Sequence, residues 1–453
     1  MWLFPKKVTH IVFWCALTVA LNCLESESWS APPFQESKQQ ASSRVWANYA
    51  RQMEPQRRQT APRPENQQAS PLSPASWAEA VEEDSLIVQE QAPMLVGNPG
   101  SCQGCLAGCC PSHQRSCQRW IHFDYLLGWR KGQRVPELVT TSVDGTPRTE
   151  AGELGLASTS IVLGNEDLVD GARPGGRIDF GRWLANGKTA VAGRFYALSD
   201  SSTNHFFDQT THDILARPFF DVISAEENAL VINFPAVDTG SIQVTSGASL
   251  IGSDFYVRQS WCQIGSACVD LITGYQFTRI DEKLHIESIS TNQTVLSVEV
   301  VDQFDTRNIF HGGLLGLISE VDGSCWSLSM LAKVGLGNTH ETVRVDGTTV
   351  ITDLSGTILP FSNGLLAQPS NIGIHTANEF TVVPELNIRY TRHLSECVDL
   401  AVGYTGIYWS EVAQPGNQVN LNIDPTGGTQ PVLNMVSDDY WMQSLDFGIT
   451  WWF

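Results

Sequence analysis

The tail Met442–Phe453 constrains this chain more than any other stretch. Leu445, Phe447, Ile449, Trp451 and Phe453 fall on one parity, and Ser444, Asp446, Gly448, Thr450 and Trp452 on the other. A β-strand turns alternate side chains to opposite faces, so one face of this strand is wholly apolar and aromatic. In water such a face along an unpaired edge invites aggregation. A closed barrel in a bacterial outer membrane removes the edge and gives the apolar face lipid to meet.

The same alternation recurs upstream. Ile121, Phe123, Tyr125, Leu127 and Trp129 share one face, as do Trp326, Leu328, Met330, Ala332, Val334 and Leu336. Phe380 to Tyr390 and Val398 to Tyr408 follow the same rule. Their opposite faces carry Ser, Thr, Gly, Asp, Asn and Lys, which suits a wet lumen better than a dry sandwich core. Gly, Asn, Asp and Pro punctuate the segments, and no helical pattern of 10–15 residues intervenes. We expect an all-β, transmembrane antiparallel β-barrel over residues 119–453, with roughly 12–14 strands of ~9–11 residues each. Long polar connections at 355–378 and 411–440 should face outward and short turns the periplasm.

Three segments precede the barrel. Residues 1–31 read as an export leader, with Lys6 and Lys7 ahead of an apolar run from Val8 to Leu24. An uncleaved single-helix anchor is the alternative reading. Residues 32–100 are rich in Gln, Pro, Ser and Ala and cannot bury enough apolar area to offset chain entropy, so they read as a disordered tether. Residues 101–118 form a cysteine-rich module with Cys102, Cys105, Cys109, Cys110 and Cys117. A small disulfide knot suits an exported protein. A zinc knuckle using Cys102, Cys105, Cys109 and His113 or Cys117 is the rival.

Twenty-eight basic against 48 acidic residues give a net charge of −20. That excludes nucleic acid as a partner, because nucleic acid selects a concentrated basic face. Cys262-x5-Cys268 is spaced for a hairpin disulfide, and Cys325 and Cys397 could pair across strands. An odd thiol would permit disulfide-linked neighbours. Enzyme signals are thin: there is no Gly-x-Ser-x-Gly elbow, no His-Glu-x-x-His and no Walker loop. The expectation is a non-enzyme without catalytic residues, metal or cofactor.

From Trp120 onward the chain resembles the bacterial β-barrel porin-7 (BBP7) family. The matching stretches are Phe123–Trp129 with Pro136–Ser142, Gly155–Gly164, Gly171–Trp183 and Asp438–Phe453. Pro174 stands where that family usually has Ser. The resemblance implies an outer-membrane barrel and a pore, but no particular solute. Within Gly171–Trp183, Arg173 and Arg177 are the candidates for a lumen constriction that selects anions. The alternative is that they pair with acids nearby in sequence, such as Glu166, Asp167 and Asp170. Gly175 and Gly176 should mark a bulge or a close strand approach.

The expected function is therefore a porin-like passive pore for small solutes or a structural envelope barrel. Its partners would be outer-membrane lipid and the barrel-assembly machinery, with Leu445, Phe447, Ile449, Trp451 and Phe453 as the assembly signal. The rival is a secreted, cysteine-cross-linked β-rich surface protein without a pore.

Overall fold

A computed structural model describes residues 118–453, apart from positions 265, 266, 293, 294, 324 and 396. The leader, the tether and the cysteine module, with Cys102, Cys105, Cys109, Cys110 and Cys117, lie outside the described residues.

Ten strands close into a ring. They are β1 (Arg119–Arg130), β2 (Arg173–Trp183), β3 (Thr189–Asp208), β4 (Asp238–Ile264), β5 (Ala267–Asn292), β6 (Val295–Asp322), β7 (Trp326–Asp353), β8 (Gly373–His393), β9 (Val398–Ala413) and β10 (Ser437–Trp452). Each pairs antiparallel with its neighbours in chain order, and β10 closes on β1. Ile121 lies opposite Trp451, and the Arg119 and Phe453 backbones exchange two hydrogen bonds of 3.0 Å. No edge is left in the ring, which is the requirement for strands in lipid.

The expectation of 12–14 strands is corrected to ten. Strands β4 to β7 run for 26 to 28 residues. A bilayer crossing uses only ~9–11 of these. The remainder continues the same alternation beyond the membrane, so one long strand supplies two alternating segments in the sequence.

The pairing is staggered. Stepping across the ring from Arg130 through Met442, Ile407, Glu385, Lys333, Gly316, Ile272, Arg258, Ala190 and Trp183 returns to Gln118. The walk thus ends lower on the first strand than it began. Such a shear tilts the strands, and with ten of them leaves an interior little wider than the eight-stranded barrels that side chains fill.

Connections at the two ends of the ring differ in length, except that only two residues join β5 to β6 at the long-loop end. At one end lie the turn 184–188 and the short links from β6 to β7 and from β8 to β9, and there β1 begins and β10 finishes. At the other end lie the long connections 131–172, 209–237, 354–372 and 414–436. They carry a small sheet of Val139–Ser142, Thr159–Leu163, Leu215–Asp221, Glu226–Asn233 and Asn422–Ile423.

Side chains on the outward parity form an apolar belt. Tyr125, Val191, Phe255, Leu315, Met330, Leu386, Val402 and Phe447 are all exposed. Trp261, Trp326, Tyr390 and Trp451 rim the turn side, while Trp129, Trp441, Tyr408, Tyr275 and Phe380 rim the loop side. Above that rim the outward face of β5 and β6 turns charged, with Arg279 and Arg307 sharing Asp281. Two aromatic girdles around an apolar band are the outer surface of a barrel in a bilayer. Among the described residues no helix is long and apolar enough to cross a membrane, so crossing falls to the strands.

Candidate functional site

The lumen of a wide pore is lined by polar side chains that touch water. Here the inward parity is also polar at the height of the belt, but it is packed. His122, Asp124, Arg177, Arg194, Asp254, Lys333, Glu385 and Asp446 are all less than 9% exposed.

These groups form one chain of ion pairs across the interior. Lys333 Nζ contacts Asp254 and lies 2.8 Å from Glu385 Oε2. Arg194 donates from Nη1 to Glu385 at 2.6 Å and from Nε to Asp179 at 2.6 Å. Arg177 bridges Asp179 at 3.4 Å, Asp124 at 2.6 Å and Asp446 at 2.9 Å. Arg389 donates to Asp124 at 2.7 Å and meets His122. Thr405 and Asn387 complete the shell around Asp446. Four permanent cations thus face five carboxylates, with the His122 imidazole among them.

The strand register builds this chain. Asp124 lies opposite Arg177, Asp179 opposite Arg194, Arg194 opposite Asp254, and Lys333 opposite Glu385. Opposite charges directly across a ladder attract, and burial strengthens them while leaving a large penalty for any partner that is lost.

Nearer the loops, the packing turns apolar. Leu126, Leu198, Leu250, Ile280, Phe310, Trp409 and Met442 form one inward cluster. Higher still, the long connections fold into the mouth. Leu138, Leu163, Leu215, Phe219, Leu365 and Leu366 pack against Ile242, Leu284, Ile286, Val300, Phe304 and Val343 from the strands. Asp302 pins this plug: it accepts from the Leu366 and Ala367 backbone amides at 2.9 and 2.7 Å and pairs with Arg217. A Cβ on Gly364 would fall 2.1 Å from Asp302 Oδ1, so the plug chain needs glycine there. Outside it, Glu137, Leu154, Ile161, Phe220, Glu227 and Leu421 line a groove of about 540 Å³. Partial burial and the nearby Glu137 push the Glu227 carboxyl up.

Two arrangements resemble reactive sites. Thr450, His122 and Asp124 are hydrogen-bonded in line, as a nucleophile, base and orienting carboxylate would be. His122, Asp124 and Asp179 also bring ligand-type atoms within 4.8 Å of one another. In both, Arg389 and Arg177 occupy the carboxylates and Arg389 presses on the imidazole, so the arrangement stores paired charge where a substrate or cation would need to approach.

Arg173 and Arg177 both face inward, as a lumen role requires. Neither lines an open constriction, since they are 4% and 3% exposed. Arg177 takes carboxylates from β1, β2 and β10, not Glu166, Asp167 or Asp170. Arg173 donates to the Val169 carbonyl at 2.8 Å. Gly175 and Gly176 sit in regular register without a bulge. A Cβ on Gly175 would lie 2.5 Å from the Ala197 carbonyl, which is a close strand approach.

On the tail, Leu445, Phe447, Trp451 and Phe453 are exposed outward, with Ile449 partly so, and Asp446 points inward. No disulfide joins Cys262 to Cys268. Cys262 pairs with Val269 and Cys268 with Gln263, so the hairpin offsets them by one residue and sets them on opposite faces. No disulfide joins Cys325 to Cys397 either.

His122, Asp124, Arg194, Asp254, Lys333, Glu385 and Arg389 were not singled out from the sequence. Their signal was a lone charge on the small, polar parity of an otherwise clean strand. Its meaning needs the register, which places each charge beside its opposite.

The family model described as Putative beta barrel porin-7 (BBP7) matches residues 120–453. No curated protein matches the chain. Among solved structures, the chain is similar to the outer membrane protease OmpT from Escherichia coli, at 7% identity and a TM-score of 0.36, over 76% of this chain and 100% of that one. It is also similar to a Pseudomonas aeruginosa FadL homologue (8% identity, TM-score 0.19, 75% and 93% covered). A third is the outer membrane channel DcaP of Acinetobacter baumannii (8%, 0.13, 74% and 96%). None of these likenesses bears on what this chain binds or does.

Proposed function

The chain belongs to the β-barrel porin-7 family of bacterial outer-membrane barrels, and from that premise we propose that it is a closed, structural envelope barrel rather than a passive diffusion pore. The observation that carries this reading is the lumen chain from Lys333 to Arg389, buried beneath a loop plug. A water-filled channel would leave these side chains accessible. Moving an ion past them would require breaking pairs whose separation costs several kcal/mol, about 3–5 for each unpaired charge. The barrel then serves as a membrane anchor that presents its loop-side sheet at the cell surface. No catalytic residue, metal or cofactor enters this reading, and residues 1–31 act in it as the export leader.

The full chain in planar bilayers should show no steady conductance. Stable, voltage-independent openings of the wild type would overturn the closed-barrel reading and restore the pore for small solutes. Outer-membrane fractions run with and without reductant address the secreted, cross-linked alternative. A band that shifts on boiling supports the barrel, whereas soluble protein released only by reductant supports the coat. Assembly through the barrel-assembly machinery should depend on the outward aromatics of the tail. Deleting Phe453 should lower the inserted fraction several-fold, and unchanged insertion would remove the tail's role as assembly signal.

A further inference from the structure

Between the ion-pair chain and the plug lies a second set of buried charged groups, several of whose donors are unpartnered. Arg130 on β1 is 1% exposed, and its Nη1 serves both the Glu282 carboxylate and, at 3.3 Å, the Tyr440 hydroxyl. Its Nε and Nη2, which together form the side-on fork of the guanidinium, are buried without a hydrogen-bond partner. Arg173 on β2 faces the same interior, 4% exposed, because Gly128 lies opposite it and Arg130 is the next inward position on β1. Arg173 Nη2 is held by the Val169 carbonyl, and its Nε too is buried without a partner. Trp409, packed edge-on against Tyr440 with ring centres 5.5 Å apart, leaves a fourth unpartnered donor at Nε1.

Glu282 lies near both guanidinium groups and Asp170 near Arg173, yet three of their buried N–H positions, and the second oxygen of Glu282, have no hydrogen-bond partner. Buried donors of this kind are costly, and a charged donor costs most. The unused edge of Arg130 is planar and bidentate, the geometry that matches two oxygens of a tetrahedral or planar oxyanion. Val169, which positions Arg173, adopts φ 63°, a conformation that a β-branched residue rarely accepts.

We propose that the lumen holds a small inorganic oxyanion of the phosphate class, seated on the free fork of Arg130 and shared with Arg173. The anion sits at the loop-side end of the membrane belt, above Leu126 and beneath the plug. It accepts from the unpartnered donors of Arg130 and Arg173 and is enclosed as the loops fold over it.

The test uses the full chain, extracted in detergent, equilibrated with inorganic phosphate, freed of external phosphate by dialysis and then denatured in acid. About one phosphate per chain should be released from the wild type. Arg130→Lys keeps the charge but lacks the fork, and should release at least tenfold less, as should Arg173→Gln. Release below a tenth of a phosphate per wild-type chain would overturn the proposal, and so would equal release from wild type and Arg130→Lys, which would identify an adventitious ion only. Should the variants not fold, wild-type crystals grown with selenate decide the matter. Anomalous density within hydrogen-bond reach of Arg130 Nε and Nη2 supports the site, and water alone at the fork removes it.

Discussion

The belt-level lumen and the loop-side plug solve the same packing problem by opposite means. Below, from Lys333 to Arg389, the barrel interior is filled by charge paired with charge. Above, around Phe304 and Leu284, it is filled by aliphatic and aromatic side chains, with Asp302 as a local staple. Their origins differ as well. The ionic layer comes almost wholly from strands, whose fixed register can hold opposite charges at one height. The plug is assembled from connections and strand extensions, which lack such a lattice and cohere by burying apolar area, worth ~25 cal/mol for each Å² removed from water. The ionic layer is directional and intolerant of a missing partner, whereas the plug is non-directional and degrades by cavities.

The largest effect should come from breaking the ionic layer at its hub. Arg177→Leu would strip a cation from Asp124, Asp179 and Asp446 together, at a cost of about 3–5 kcal/mol or more. Its readout is loss of the heat-resistant folded band on gels. A variant retaining that band at wild-type temperature would mean that the charges are solvated and the lumen wet. Phe304→Ala in the plug should cost about 3 kcal/mol. Here the band should survive while the loop connections become sensitive to added protease, because the ring below stays intact. If protease sensitivity and band loss appeared together, the two regions would be one cooperative unit.

Substituting the outer surface tests where one region gives way to the other. Val402→Arg, in the apolar belt, should lower stability by about 2–4 kcal/mol, whereas Thr348→Arg, outward on β7 beyond the belt, should change it by less than ~0.5. Denaturant titration in lipid vesicles would show it, and equal costs at the two positions would move the membrane boundary. A surface pair should matter little as well: Lys131 bridges Asp438 and Asp439 at 2.8 and 2.7 Å just above the rim. Its partners are about half exposed, so Lys131→Met should cost under ~1 kcal/mol, and added salt should erase the difference.

The belt-level half was far more legible in the amino-acid order than the plug. Alternation from Ile121 to Trp129, from Trp326 to Leu336 and along the tail assigned outward faces that the strands keep, because period two is a local property of extended backbone. Strand number was overestimated because the periodicity of β4 to β7 does not change where lipid gives way to water. The polar parity is visible in the sequence, and by itself it suits a wet lumen. Lys333 and Glu385 lie far apart in the chain, and only pairing of β7 with β8 makes them neighbours. Arg177 showed the same limit: acids close in sequence, such as Glu166 and Asp170, were natural partners, yet the ladder delivers Asp124 and Asp446 instead. The plug left no periodic trace, since Leu365, Leu366 and Phe219 belong to irregular or short segments whose burial depends on where the mouth of the barrel happens to be.

The seam between Arg119 and Phe453 carries a kinetic consequence. It joins the first strand to the last, so the ring cannot seal until every intervening hairpin is in place, and its closure has the largest sequence separation in the barrel. Folding speed falls as such non-local pairings dominate. The carboxylates and arginines of the lumen stay hydrated until that late event and lose their water together. Ring closure and charge desolvation should therefore form a single slow step, timed by the arrival of β10.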